Sequence, residues 1–374
     1  MHEYADVIVI GAGTTGTSAA WHLARAGASV RLLDKGAIAS GSSGASPGIV
    51  RAYYADPALS HLAAQGVRAY RDWQQRYPGA CGYQRTGFLT GIAEHAQAAA
   101  QANVAHLQAA GAALEWLCTE QMRERVPDLY TDGLAGAVYE ADAGYCDPRL
   151  TARSFAAGAS AMGAVIEEGR AVRRIVRQAG RVIGVQTDSG FIASSHVINA
   201  AGPWAAALAA ECRAPLPIHA TRHCVGIVEV CGADQPMPGY CDRDAGFYLR
   251  PDRPGRYVIG ALSGAEGAPI DPDAFDRTFS DTQVLAYRDR AAQRLTRLLG
   301  AQPIGRRVSF FDDTPDGNPL LGPDPRVPGL MVAAGLSGHG FKFAPLFGQA
   351  SAQWVLTGEM PAAMAPFAPQ RFID

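Results

Sequence analysis

The chain has 374 residues, of which 48% are apolar, and a net charge of −2. That length favours two domains with sizeable cores, and with no basic run in the sequence neither nucleic acid nor an anionic membrane surface is an expected partner. Seven scattered cysteines without a CxxC pair favour reduced thiols in the cytoplasm over a disulfide framework or a metal site, and no run approaches the roughly 18 apolar residues of a membrane span.

The first thirty-five residues organise the rest. Residues 6–10 (DVIVI) read as a buried strand, not a signal peptide, because no basic segment precedes them and the apolar run stops at Gly11. Gly11-Ala12-Gly13-Thr14-Thr15-Gly16 then opens a helix that runs to Gly27, and a second apolar run, Val30 to Leu33, ends in Asp34. Strand, glycine turn, helix, strand and acid make a dinucleotide-binding βαβ unit. Gly11 permits the tight turn, Gly13 leaves room for a pyrophosphate, and Gly16 lets the helix pack close to the sheet. The helix N-terminus offers N–H groups to phosphate, and Asp34 is placed to accept from a ribose. Thr15 and Lys35 complete this candidate set.

The Gly/Ser-rich stretch 39–48 predicts a loop, either lining a ligand or merely covering the surface. A β-like patch follows at 49–54, and apolar spacing predicts a helix over 57–77. Next come a strand at 88–90, a helix over 93–110, a short helix near 122–127, a strand at 134–139 and a helix from Asp147-Pro148 to Met162. Alternating strands at 165–166, 171–177 and 181–187 lead to the run 197–201. Strands at 223–230, 246–250 and 256–260 precede a helix over 279–299 and a strand at 306–311. The turn cluster 314–319, the apolar run 330–334 and a last helix over 344–356 close the chain. The βα pieces at both ends and in the middle predict one domain, and the strand-rich parts between them predict another.

Five stretches carry a family resemblance: GAGTTG with the following LARAGASVRLLD, then GSSGASPGIVRAYY, INAAGPW, TPDGNPLLGP and GLSGHGFKFAPLFG. With them the chain resembles the FAD-dependent amine oxidoreductases of the D-amino-acid oxidase, glycine oxidase and sarcosine oxidase superfamily, closest to the sarcosine oxidase-like branch. The resemblance implies an α/β fold: a Rossmann-like FAD domain of the glutathione-reductase type from residues 1–80, 141–215 and 323–374. It implies a second, α+β substrate domain on a mixed, largely antiparallel sheet from 81–140 and 216–322. It places Gly11, Gly13 and Gly16 on the pyrophosphate of FAD and Asp34 on its ribose. Ser42, Ser43 and Gly44 would lie near the flavin, Val172 would meet adenine through its backbone, and Ala201, Gly202 and Trp204 would lie along the cofactor. Gly335 and the run Gly338, His339, Gly340, Phe341 and Lys342 would face the flavin at the mouth of the last helix.

The implied activity is oxidation of the C–N bond of a small amino acid or secondary or N-methyl amine to an imine, with oxygen or another acceptor taking the electrons. Related readings are oxidation of a 2-hydroxy acid and a non-catalytic flavoprotein subunit, and a partner subunit is compatible with either. The substrate supplies its own electron pair, so the protein has to orient it and anchor its carboxylate. By resemblance the anchors are Arg51 and Lys342, with Tyr248 as a lid-side donor. His339 is either an acid–base group or packs against flavin or donates to a backbone carbonyl. The branch's two covalent flavin attachment points fall on Ser309 and on the Gly44-Ala45-Ser46 stretch, so FAD is expected to be non-covalent. Val258 stands where sarcosine oxidases carry an oxygen-activating Lys, and Phe311 stands where glycine oxidase carries a carboxylate-binding Arg. The aromatics Tyr53, Phe247, Tyr248, Phe310 and Phe311 suggest a substrate larger or more apolar than glycine.

Overall fold

A computed structural model describes residues 3–231, 235–262 and 267–373. Its centre is a six-stranded sheet in the order Leu320–Pro323, Leu330–Ala334, His196–Asn199, Val7–Ile10, Val30–Leu33, Val165–Glu167. All neighbours run parallel except the edge strand Leu320–Pro323. Every residue of Val7–Ile10 is buried, as an inner parallel strand covered on both faces requires. Val7 and Val9 join Ala20, Leu23, Phe155 and Phe347 in a core beneath the helices Thr14–Arg25, Pro148–Ala161 and Gly340–Thr357. Ile8 and Ile10 point the other way, with the period of two that a strand imposes, onto Ile175, Val182 and Val185 of a four-stranded sheet.

A larger, nine-stranded sheet carries the rest. It contains Phe88–Ala93, Leu114–Leu117, Leu134–Glu140, His219–Glu229, Gly239–Asp242, Phe247–Arg253, Arg256–Ala261, Pro269–Ile270 and Gln302–Asp313. Its pairs are antiparallel except Gly239–Asp242 against Phe88–Ala93. The helix Asp281–Ala292 packs on it around Tyr240, Phe247, Tyr257 and Val284. Phe247 therefore belongs to this core, not to a pocket.

Several elements differ from the sequence expectation. Within the Gly/Ser stretch, Ser42–Ala45 forms one helical turn, tied by Ser43 to the helix that starts at Thr14. The helix expected over 57–77 divides at Asp72, whose carboxylate is held by Arg71 and Arg76; Trp73 then turns into the core beside Phe155. The helix expected to reach 299 stops at Ala292, because Arg294 is pulled away by the buried Asp242 at 2.7 Å and by the Asp132 carbonyl. The last helix starts four residues earlier than expected, at Gly340, and contains Pro345. Proline removes the N–H that would reach the Phe341 carbonyl, and the buried Tyr70 hydroxyl donates to that carbonyl instead, at 2.7 Å.

Candidate active site

The glycine turn is built by exclusion. Gly11 has φ +102°, and a Cβ there would overlap the Ala200 carbonyl oxygen, while a Cβ on Gly16 would overlap the Gly11 carbonyl oxygen. Strand and helix can meet this closely only with glycine at both positions. Gly13 caps the helix without a side chain, and a Cβ there would stand 3.0 Å from Ser43 Oγ. Ser43 Oγ accepts the Thr14 N–H at 3.1 Å, so one amide of the first turn is already held. Asp34 accepts the Ala12 N–H at 2.6 Å and the Gly36 N–H at 2.7 Å, which fixes its carboxylate at the strand end, where burial raises its pKa. Lys35 pairs with Asp273 at 2.5 Å and lies 3.8 Å from the centre of the Trp204 ring, whose Nε1 donates to the same Asp273.

A cavity of about 1820 Å³ runs along the carboxyl ends of the parallel strands, where open α/β sheets bind ligands. Gly11, Gly13, Thr15, Asp34, Lys35, Ser42, Ser43, Gly44, Val172, Ala201, Gly202 and Trp204 all line it. Gly16, Gly335, Gly338, His339, Gly340, Phe341 and Lys342 do not. Gly335 packs on Thr314 and Gly340 on Leu336, and the Phe311 ring covers Gly338. The lining carries nine Lys or Arg side chains against five Asp, which suits an anionic ligand. Thr15 Oγ1 and Ser42 Oγ are buried in its wall with no hydrogen-bond partner among the described residues, which suits a ligand with polar groups at these points.

A second constellation lies outside the cavity lining. The Arg51 guanidinium and the Lys342 ammonium stand over the Tyr54 ring, at 4.6 and 5.3 Å from its centre. Arg51 donates to the Tyr53 carbonyl, and Lys342 donates to the His339 carbonyl at 3.3 Å. Neither cation has a carboxylate within 4 Å among the described residues. Burial first, and then the neighbouring Arg51 charge, push the Lys342 pKa down to about 7, while Glu140 opposes the shift. Glu140 is itself buried and spends its carboxylate on the amides of Ala52 and Tyr53. His339 Nδ1 lies 3.2 Å from the Tyr54 hydroxyl, and burial holds its pKa well below the usual range, so it is neutral. Tyr248 sits behind Phe88 and Cys241, and its hydroxyl meets His223 Nε2 at 3.1 Å. His223 stacks on Phe311 at 4.0 Å, which in turn covers Gly338.

The family model for FAD-dependent oxidoreductases, the D-amino-acid oxidase type, matches residues 6–354. The chain belongs to that family. Its sequence is 31% identical to a 4-methylaminobutanoate oxidase (formaldehyde-forming) of Paenarthrobacter nicotinovorans, over 94% of this chain and 43% of the relative. The fold superposes on crystal structures of glycine oxidase from Geobacillus kaustophilus (TM-score 0.85, 26% identity, all of both chains) and L-proline dehydrogenase from P. horikoshii (TM-score 0.89, 24% identity, covering 100% and 98%). The chain spans less than half the length of the first curated relatives it matches.

FAD is thus the cofactor of this enzyme, and the polar atoms left open at Thr15 and Ser42 fit a ligand of its chemistry. Tyr54, Glu140, His223 and Asp312 were not singled out from sequence. Tyr54 follows Arg51 in an aromatic patch without periodicity, and Glu140 and His223 occupy strand positions that pattern alone cannot assign to one face or the other. Their common signal is burial, which only the fold supplies.

Proposed function

We propose that this chain oxidises the C–N bond of a small amino acid or an N-methyl or other secondary amine carrying a carboxylate, giving an imine. The supporting observation is the pair Arg51 and Lys342, two cations over one aromatic ring with no carboxylate within 4 Å among the described residues. A guanidinium clamps a carboxylate bidentately and an ammonium adds a point charge. Bound FAD supplies the two-electron acceptor that takes the hydrogen leaving the carbon. The protein's share is to hold the substrate still, to keep His339 neutral beside Tyr54, and to exclude water with the wall formed by Phe311, His223 and Tyr248. The P. nicotinovorans relative acts, by its name, on an N-methylated amino acid, and the Geobacillus relative on glycine; both carry a carboxylate and an amine.

In the same reading, 1–80, 141–215 and 323–374 form the FAD domain and 81–140 and 216–322 the substrate domain. FAD is held non-covalently, oxygen or another acceptor reoxidises it, and the protein works in the cytoplasm. Val258, fully buried between strands, supplies no cation to the flavin, which favours an acceptor other than oxygen. The test is an anaerobic panel of amino acids, N-methyl amino acids, amines lacking a carboxylate and 2-hydroxy acids, read by bleaching of the flavin absorbance. Bleaching by amines with a carboxylate is expected. Bleaching by hydroxy acids alone, or equally by amines without a carboxylate, overturns the reading.

A further inference from the structure

One polar group in the cavity wall is explained neither by the phosphate turn nor by the cation pair. Asp312 lies next to the end of the strand Gln302–Asp313, is 5% exposed and lines the cavity. Its Oδ2 is buried without a hydrogen-bond partner among the described residues. Leaving a buried carboxylate oxygen unpaired is unfavourable, and the groups acting on it include no Lys or Arg: they are the amides of Leu336, Asp312 itself and Gly335, and the like charge of Asp313. Burial accordingly lifts its pKa to about 6.

Its place along the sheet indicates what it meets. The carboxyl ends of neighbouring strands present, in order, Asp34, Gly11, Ala200 and Gly335. The ribose acid lies one strand to one side of the phosphate turn. Asp312, against Gly335 and Leu336, lies two strands to the other side, roughly 10 Å at the usual strand spacing. Phe310, two residues earlier and so on the same face, packs edge-on against Trp204 and lines the same cavity. Beyond the phosphates on that side, FAD has a chain of hydroxyls leading to its ring.

We propose that Asp312 is a cofactor-positioning residue, whose carboxylate accepts a hydrogen bond from a hydroxyl of the chain joining the phosphates of FAD to the flavin. The proposal rests on this cavity holding FAD. No bond is made or broken; Asp312 sets where along the cavity the ring comes to rest.

The experiment titrates apoprotein with FAD and with an FAD analogue lacking the ribityl hydroxyls, following flavin fluorescence, for wild type, Asp312→Leu and Asp312→Asn. Wild type is expected to bind FAD roughly ten- to a hundredfold more tightly than the analogue. Asp312→Leu is expected to lose that preference and to bind FAD about as weakly as the analogue. Asp312→Asn, which keeps an acceptor without charge, should fall between them. Apo Asp312→Asn is also expected to be no less heat-stable than apo wild type at pH 7.5, because it replaces a buried charge with a neutral group, so it carries the test if the Leu variant does not fold. A variant that keeps the full preference for FAD over the analogue overturns the proposal. A wild-type apoprotein that takes up neither ligand overturns the cofactor site itself.

Discussion

With its pKa near 7, Lys342 is roughly half charged at neutral pH in the free enzyme. A carboxylate placed beside it favours the charged form, so anion affinity and protonation are linked. Below pH 7 the ammonium is already present and the dissociation constant of a carboxylate inhibitor is expected to be flat. Above pH 7 a proton has to be taken up on binding, and the constant should rise up to about tenfold per pH unit. Lys342→Met should abolish that rise and weaken binding at pH 6 by roughly 30- to 150-fold. Arg51→Met should weaken binding too but keep the rise, displaced to higher pH, because the guanidinium is one of the charges that depress Lys342. Perturbation of the flavin spectrum by the inhibitor reads all three; affinity independent of pH from 6 to 9 in wild type means that Lys342 does not touch the anion. At this scale the sequence singled out Arg51 and Lys342 because each sits in a motif, and the fold brings both over the Tyr54 ring. It was silent where the role depends on burial, as for Glu140 and Asp312, since a carboxylate in a strand looks the same whether it faces solvent or a cavity.

The helices Thr14–Arg25 and Gly340–Thr357 connect the phosphate turn to the cation pair. They cross where a Cβ on Gly348 would overlap Ser18 Oγ and stand 2.6 Å from the Ala19 nitrogen, and Ser18 Oγ donates to the Pro345 carbonyl at 3.5 Å. Gly348→Val should force the two helices apart, destabilising the fold by about 3 kcal/mol and weakening FAD binding, because the helix that moves starts at the phosphate turn. Thermal unfolding of the apoprotein and FAD titration measure the two effects; unchanged values in both would show that the crossing has slack. The parallel strands of the central sheet were legible to within two residues, since short apolar runs bounded by turns have few alternatives, whereas the edge strand Leu320–Pro323 was not expected. Helix ends were less so: Asp72 divides a helix through ion pairs with its neighbours Arg71 and Arg76, Arg294 ends one through Asp242, distant in sequence, and the early start at Gly340 depends on Tyr70 satisfying a carbonyl that Pro345 leaves open.

Across the molecule, the doubly covered central sheet and the largely antiparallel second sheet follow the expected pattern. The parallel pairing of Gly239–Asp242 with Phe88–Ala93 was not legible, because the first of these strands is a four-residue stretch with no alternation to mark it. Arg250 ties the two sheets' surroundings together by donating to the Pro47 carbonyl at 2.6 Å, and it lines the cavity with Ser309. With a hydroxyl at Ser309 and a methyl at Ala45, neither expected attachment point offers a thiolate or imidazole. Acid precipitation should therefore leave a colourless pellet and a yellow supernatant; a yellow pellet would reveal a covalent link elsewhere.

The strand order also sets a timetable for synthesis. Val7–Ile10 lies beside His196–Asn199, which lies beside Leu330–Ala334, so the nucleotide sheet joins segments separated by most of the chain. At roughly 5–20 residues per second, the first strand leaves the ribosome about 15–65 s before the last parallel strand is made. Until then one edge of His196–Asn199 has no strand to pair with, and the interval is one in which a chaperone has something to hold. Nascent chains arrested at residue 320 should carry no flavin, whereas chains arrested beyond residue 374 on a C-terminal linker should carry it, as fluorescence of purified ribosome complexes can report. Cofactor loading would then wait until the strand Leu330–Ala334 has emerged, with the flavin acting as a seal on a closed sheet.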